Sequence, residues 1–243
     1  MVPLTRHGTR EMLIGSIVLL GVGSALGVWH WPLSLIVLPV IIWLFAFFRD
    51  PERALPVEQH TMVSPADGKV SDITEIDNDP LLGGPSIRVG IFLSVFNVHV
   101  NRSPCDGIVV DTAYKKGKFI NAMSHSKASD ENESNTIVLK EPNGERRVAV
   151  VKQIVGLIAR RIICTVKTGD RVDRGQRIGM IKFGSRTELS IPKWLEPEIK
   201  VKEGDIVRGT MDVIAVLGKP IHTSARKDLG EEFEPLVGRE TPA

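Results

Sequence analysis

From Met12 to Val28, and again from Trp31 to Phe48, the chain has no Asp, Glu, Lys or Arg. So long an uncharged stretch rarely belongs to a soluble domain of this size, whereas a bilayer core asks for about 20 apolar residues per helix. The second run, WPLSLIVLPVIIWLFAFF, is near that length. The first is shorter and carries Gly15, Gly21, Gly23 and Gly27, small residues that let helices approach closely in lipid. The pattern predicts a membrane-anchoring helical hairpin over residues 1–53, turning at Trp29-His30-Trp31-Pro32, with its tryptophans at the depth that amphipathic rings prefer. Arg6 and Arg10 precede the hairpin, and Arg49 and Arg53 come after it. The positive-inside rule therefore predicts a cell (inner) membrane protein whose remaining chain faces the cytoplasm. A cleaved signal peptide fits less well, because no small-residue cleavage site follows the first run and a second run comes at once.

Beyond Asp50-Pro51-Glu52-Arg53, where proline ends the helical pattern, the runs Lys69 to Ile76, Ser86 to Phe92, Gly107 to Tyr114, Thr136 to Leu139, Arg147 to Val155 and Arg161 to Val166 are rich in Val and Ile. Gly, Pro, Asp and Asn separate them, as in an all-β sandwich or barrel. Val166-Lys167-Thr168-Gly169-Asp170-Arg171-Val172 is echoed by Val201-Lys202-Glu203-Gly204-Asp205-Ile206-Val207, with Gly175 and Gly209 coming after them in similar places. Paired turns of this kind resemble the barrel-sandwich units of biotinyl and lipoyl carrier domains. The expected fold is mainly β: a barrel-sandwich hybrid-like domain over residues 54–224. Met123 to Asn135 has almost no apolar residues and reads as a mobile loop, a linker or a lid, and residues 225–243 read as a weakly ordered tail. Cys105 and Cys164 stand far apart and suit two reduced thiols. The 31 basic and 29 acidic residues nearly cancel, which with few aromatics gives no sign of nucleic-acid binding. No His, Cys or carboxylate cluster has metal-ligand spacing.

Four separated segments carry the chemistry: Phe47-Phe48-Arg49-Asp50-Pro51-Glu52-Arg53, Ser64-Pro65-Ala66-Asp67-Gly68, Phe96-Asn97-Val98-His99-Val100-Asn101-Arg102-Ser103-Pro104 and Phe183-Gly184-Ser185-Arg186. Singly each is weak, since a lone His or an Asp before Gly is usually structural. In this order, from about Phe47 to Leu217, the chain resembles the short bacterial and archaeal branch of the pyruvoyl-dependent phosphatidylserine decarboxylases. The resemblance implies that Ser185 attacks the carbonyl of Gly184, that the chain is cut between residues 184 and 185, and that Ser185 becomes a covalent pyruvoyl cofactor. The product would be a heterodimer of its own two chains, with further oligomerisation left open. A serine needs an oriented base, and the resemblance assigns His99 as base and Asp67 as its orienter. It also implies an amine-bearing phospholipid substrate, phosphatidylserine, converted to phosphatidylethanolamine, with the ketone as electron sink and His99 as proton donor. Two departures stand out. Many members have Leu-Gly-Ser-Thr at the cut, and larger members have a second histidine where this chain has Asn101 and Arg102, so separate histidines for the two steps do not carry over and a double role for His99 stays open.

Arg160, Arg161, Lys167, Arg171, Arg174 and Arg177 fall within 18 residues, and basic groups near a membrane attract anionic headgroups by about 1 kcal/mol each. Arg160 and Arg161 are the candidates to meet lipid phosphate, the others being read as solvent-facing, and His125 is a candidate to enter the site from the loop. A non-catalytic, membrane-tethered barrel-sandwich adaptor or carrier would account for the repeated Gly-Asp turns, but it leaves Asp67, His99 and Ser185 without a task. The same chemistry on another serine-headed lipid, such as archaetidylserine, is a closer rival that the hairpin does not separate.

Overall fold

The computed structural model describes residues 3–120, 129–156, 161–182 and 184–221. Helix α1 (Thr9–Trp29) rises about 32 Å at ~1.5 Å per residue and stops at His30, whose backbone is extended at φ −157°. Pro32 opens the short α2 (Trp31–Ser34), in the first turn where a missing N–H costs nothing, and α3 (Val37–Phe47) returns. Residues Arg6–Trp29 form one helix long and apolar enough to cross a membrane, and the returning apolar stretch Trp31–Phe47 is shorter. A Cβ added at Gly15 would collide with Leu44, and added carbons at Gly23 and Gly27 would touch Val37 and Ser34, while Gly21 faces open space. Three of the four glycines thus let the two legs close on one another. At the base, Thr5 N–H donates to the Phe48 carbonyl and Asp50 N–H to that of Pro3, each at 2.8 Å.

The rest is strand: β1 (Thr61–Val63), β2 (Gly68–Asp79), β3 (Gly84–Leu93), β4 (Val100–Arg102), β5 (Gly107–Lys115), β6 (Ser134–Lys140), β7 (Arg147–Val155), β8 (Arg161–Cys164), β9 (Arg171–Val172), β10 (Arg177–Lys182), β11 (Ser185–Pro192), β12 (Pro197–Ile199), β13 (Ile206–Val207) and β14 (Val213–Leu217). Eight form one curled antiparallel sheet in the order β13-β2-β3-β11-β7-β6-β5-β9, with smaller sheets β1-β14-β12 and β4-β10-β8 beside it. The expected mainly β architecture is therefore found. Alternation along the strands buries Val89, Ile91 and Leu93 of β3, Ile137 and Leu139 of β6 and Leu189 and Ile191 of β11 in one core; each such side chain contributes about 1.5–3 kcal/mol. Both cysteines are free thiols.

The repeated turns are real and extend further than the Gly-Asp pairs. Gly169 and Gly204 share φ +94°, where only glycine is at ease, and the Asp after each accepts from the amide of Lys167 or Lys202 at 2.9 and 3.0 Å. Each turn faces a matching segment, Ser64-Pro65-Ala66-Asp67-Gly68 or Ser103-Pro104-Cys105-Asp106-Gly107. Ser64 and Ser103 hydroxyls both donate, at 2.7 Å, to the carbonyl two residues on. Asp67 accepts from Gly209 N–H at 2.8 Å and Asp106 from Arg174 N–H at 2.7 Å. The domain is thus built from two similar halves. The expected correspondence of Gly175 with Gly209 shifts by one residue: Gly175 N–H donates to Ser103 O and Thr210 N–H to Ser64 O, and both have positive φ, +80° and +71°.

The expected loop Met123 to Asn135 is corrected in its second half, and its positions up to 128 lie outside the described residues. Ser129, Asn132, Ser134 and Asn135 are buried, because hydrogen bonds rather than apolar contacts hold them. Asn132 accepts from Ile120 N–H at 2.8 Å and donates to the carbonyls of Ile120 (2.7 Å) and Val155 (2.8 Å). Asn132→Ala strips partners from buried backbone groups and should lower stability by about 2 kcal/mol, a fall of ~4–8 °C in the melting temperature of the detergent-solubilised chain.

Candidate active site

Strand β11 runs between β3 and β7, and its first residue, Ser185, is paired with Leu93 on one side and Val155 on the other. Gly184 stands just outside the strand at φ +60°, in the left-handed region that favours glycine. Its carbonyl oxygen accepts from the N–H of Gly156 at 3.1 Å, so a backbone donor already points at the atom that would gain negative charge during attack on that carbonyl. Phe183 lies outside the described residues.

His99 and Ser185 are both fully buried (0 % exposed). The Nδ1 of His99 lies 3.0 Å from the Asn97 carbonyl. A carbonyl only accepts, so Nδ1 carries the proton and Nε2 has the free lone pair. Nε2 of His99 and Oγ of Ser185 are both buried side-chain atoms without a hydrogen-bond partner, one an acceptor and the other a donor. Leaving either so costs about 1–3 kcal/mol, and an unpartnered buried polar atom in a folded protein asks for an explanation. Two residues on from each, Asn101 donates to Thr187 Oγ1 at 3.0 Å, Gln153 to Asn101 at 2.9 Å and Asn135 to Gln153 at 3.0 Å, a polar row that ties β4 to β11 and its neighbours.

The Phe47 ring lies against the imidazole, centroids 4.5 Å apart, and belongs to a cluster of Met12, Leu44, Phe47, Phe48 and Met180 in which the hairpin docks on β10. Burial is the main reason that the His99 pKa falls from 6.5 to about 4. The bond to Asn97 opposes it, the Arg49 charge adds to it, and the Asp67 charge opposes it weakly. His99 is therefore neutral at pH 7, the state in which an imidazole can accept a proton.

Asp67 is not hydrogen-bonded to His99 and acts on it only through space. Its carboxylate is gripped by both Nη atoms of Arg53, Nη2 at 2.7 Å, and by Gly209 N–H. Asp106 takes the equivalent backbone bond in the other half, so one of Asp67's three hydrogen bonds belongs to the repeat and the two from Arg53 are its own. Arg186, the departure from the common cleavage motif, is fully buried. It binds Glu188 at 2.9 Å, Asp72 at 2.7 Å and Ser71 at 2.5 Å, which neutralises it in the interior. Arg161 is exposed at the start of β8, opposite Lys182 of β10, whose ammonium pairs with Glu11 at 2.6 Å. Arg160 and His125 lie outside the described residues. Arg177 is exposed, as expected, though it pairs with Asp50 at 2.6 Å and Glu52 at 3.0 Å; the solvent-facing reading of Arg174 is corrected, since it is half-buried and donates to Thr61 Oγ1 at 2.6 Å. Both hold down the segment that leaves the hairpin. Among the described residues no group of three His, Cys, Asp or Glu side chains is gathered as for a metal ion.

The orienting role of Asn97, the lid of Phe47 and the donor Gly156 were not apparent from the sequence. Asn97 and Phe47 sit inside the quoted motifs, but nothing in a linear pattern says which ring covers which. Gly156 had only the faint signal of a glycine closing the apolar run Arg147 to Val155.

The family model for phosphatidylserine decarboxylase matches residues 41–215. A phosphatidylserine decarboxylase proenzyme of Rhodopirellula baltica is 43% identical over 216 residues, 88% of each chain. Proteins of the same name from Granulibacter bethesdensis and Solidesulfovibrio magneticus are 46% identical over 211 residues (86% of this chain, 83% of theirs) and 47% identical over 191 residues (78% and 85%).

The buried ring sets a measurable titration. Nitrogen-15 NMR of histidine-labelled protein should show His99 as the neutral Nδ1–H tautomer from pH 8 down to about 5, gaining its proton only near pH 4. Phe47→Ala, by admitting water, should move that titration up towards ~6.5.

Proposed function

This chain belongs to the phosphatidylserine decarboxylase family, and from that premise we propose that it makes a pyruvoyl group from Ser185 and uses it to convert phosphatidylserine to phosphatidylethanolamine. The single observation that carries the reading is that two complementary buried atoms lack partners, His99 Nε2 just before β4 and Ser185 Oγ at the first residue of β11. The name proenzyme borne by the relatives agrees with self-processing.

In this reading His99 Nε2 takes the proton of Ser185 Oγ as the oxygen attacks the carbonyl carbon of Gly184. The negative charge gathers on the Gly184 oxygen, where the Gly156 N–H stabilises it. The bond from that carbon to the Ser185 nitrogen breaks and the nitrogen takes the proton back, leaving an ester. Loss of the Cα proton then expels the Gly184 carboxylate, and water replaces the nitrogen of the resulting dehydroalanine as ammonia. Residues 1–184 and 185–243 remain together because β11 stays clamped between β3 and β7. The pyruvoyl ketone supplies an electron sink for the loss of carbon dioxide. His99 Nε2, bare at rest, first takes a proton from the ammonium group of the substrate and then returns it to the former α-carbon. Asp67, through Arg53 and Gly209, holds the segment that precedes β2 and adds a distant negative charge to the field at His99. The hairpin of residues 1–53 anchors the enzyme in the cell membrane with the domain of residues 54–224 on the cytoplasmic side, and Arg160 and Arg161 meet the lipid phosphate.

The purified protein should therefore run as two chains, the smaller covering residues 185–243 and refusing N-terminal sequencing. Ser185→Ala should give one intact chain without activity. His99→Ala should slow cleavage by about 10²–10⁴-fold, and Asp67→Ala should slow it less. An active enzyme of full intact mass, or one indifferent to Ser185→Ala, overturns the reading.

Replacing Arg160 and Arg161 together by Ala should leave cleavage intact and raise KM for phosphatidylserine in bilayers by about fivefold for each kcal/mol lost. Lost cleavage would mark them as structural instead.

A further inference from the structure

The turn of residues 94–97, Ser-Val-Phe-Asn, leads from β3 to His99 and is braced within itself: Asn97 Oδ1 accepts from Ser94 N–H at 2.9 Å and from its hydroxyl at 2.7 Å. At its tip Phe96 is 71 % exposed. One exposed aromatic is ordinary, but this one is tied to three particular things. Its carbonyl accepts from Arg49 Nη2 at 2.7 Å, and the Nη1 of the same guanidinium donates to Ala46 O at 2.6 Å, a carbonyl at the end of α3. Its neighbour Val95 lies where a Cβ on Gly184 would find Cγ1 at 3.9 Å. Its other neighbour, Asn97, holds His99 Nδ1. On α3 the side chains of Phe45, Ile42 and Leu38 are exposed too, so apolar surface runs along a helix of hydrocarbon-like composition up to the guanidinium that holds the Phe96 backbone.

We propose that Phe96 is an interfacial anchor whose ring enters the acyl-chain boundary of the leaflet that holds the hairpin. The turn is then the membrane-facing lip over Gly184 and His99, so that a lipid headgroup reaches residue 185 while its chains stay in the bilayer. Lipid is the occupant because the surface that continues from Phe96 is the apolar helix, and an aromatic ring joined to a polar backbone clamp suits the membrane boundary. The inference rests on the reading of the chain as a membrane-anchored lipid enzyme.

The full chain, with both natural cysteines replaced by Ala, should carry an environment-sensitive fluorophore on Phe96→Cys or, as reference, on Leu38→Cys. It would be reconstituted in phosphatidylcholine–phosphatidylglycerol vesicles with or without brominated acyl chains. Quenching of both labels by about twofold or more is the expected result. Quenching at 38 with a water-like, unquenched label at 96 overturns the interfacial anchor and leaves the membrane reading standing; no quenching at either position overturns both. In a chain that keeps its natural cysteines, Phe96→Asp should still cleave itself but raise KM for phosphatidylserine in bilayers about tenfold at unchanged kcat, and an unaltered KM overturns the proposal.

Discussion

The ring of Phe47 on the imidazole of His99 joins the hairpin to the β domain, and the protonation state of His99 depends on it. A solvated histidine is half protonated near pH 6.5. Under Phe47, within the cluster formed by Met12, Leu44, Phe48 and Met180, His99 stays neutral because its charged form would lose its hydration. The residue that dries the ring ends the apolar returning helix, so the docking of the hairpin also sets the protonation state of His99. Burial leaves the ring one hydrogen bond, to Asn97, and that bond decides which nitrogen is bare.

The second constraint is the duplicated half. Two Ser-Pro-x-Asp-Gly segments and two Gly-Asp turns interlock, each Asp tying down a backbone amide of the opposite turn. Asp67 meets its backbone partner as Asp106 does, and differs in gripping Arg53, just beyond the hairpin. Its carboxylate links the segment leaving the apolar helices to the start of β2. The repeat makes a rigid frame, and β11 with Ser185 at its head is threaded through the middle of the larger sheet.

Arg186 shows how a charged residue is tolerated in the interior beside the Gly184-Ser185 bond. Two carboxylates and a hydroxyl surround it, and Glu188 also accepts from Ser129 at 3.0 Å. A buried cation without such partners would cost several kcal/mol. With them the strand after the Gly184-Ser185 bond is held by side chains as well as by its ladders, which keeps the head of the strand in register whether or not the bond that precedes it is intact.

The sequence by itself determined the apolar hairpin, its turn at His30 and Pro32, the mainly β character of the chain beyond Arg53 and the Gly-Asp turns, because each depends on local composition or spacing: an uncharged run, a proline, alternating Val and Ile, a glycine that must take positive φ. It also held, in Ser64 to Gly68 and Ser103 to Gly107, a duplication that only becomes obvious once the hydrogen bonds are seen to match. The buried stretch from Ser129 to Asn135 was illegible, since polar residues satisfied by hydrogen bonds look in sequence like polar residues in water. Tertiary structure alone decided that Phe47 covers His99, that Asn97 rather than Asp67 bonds its ring, that Gly156 faces the Gly184 carbonyl and that Arg186 is enclosed by carboxylates. Those contacts join residues far apart in the chain, and their strength comes from exclusion of water, which no local pattern records.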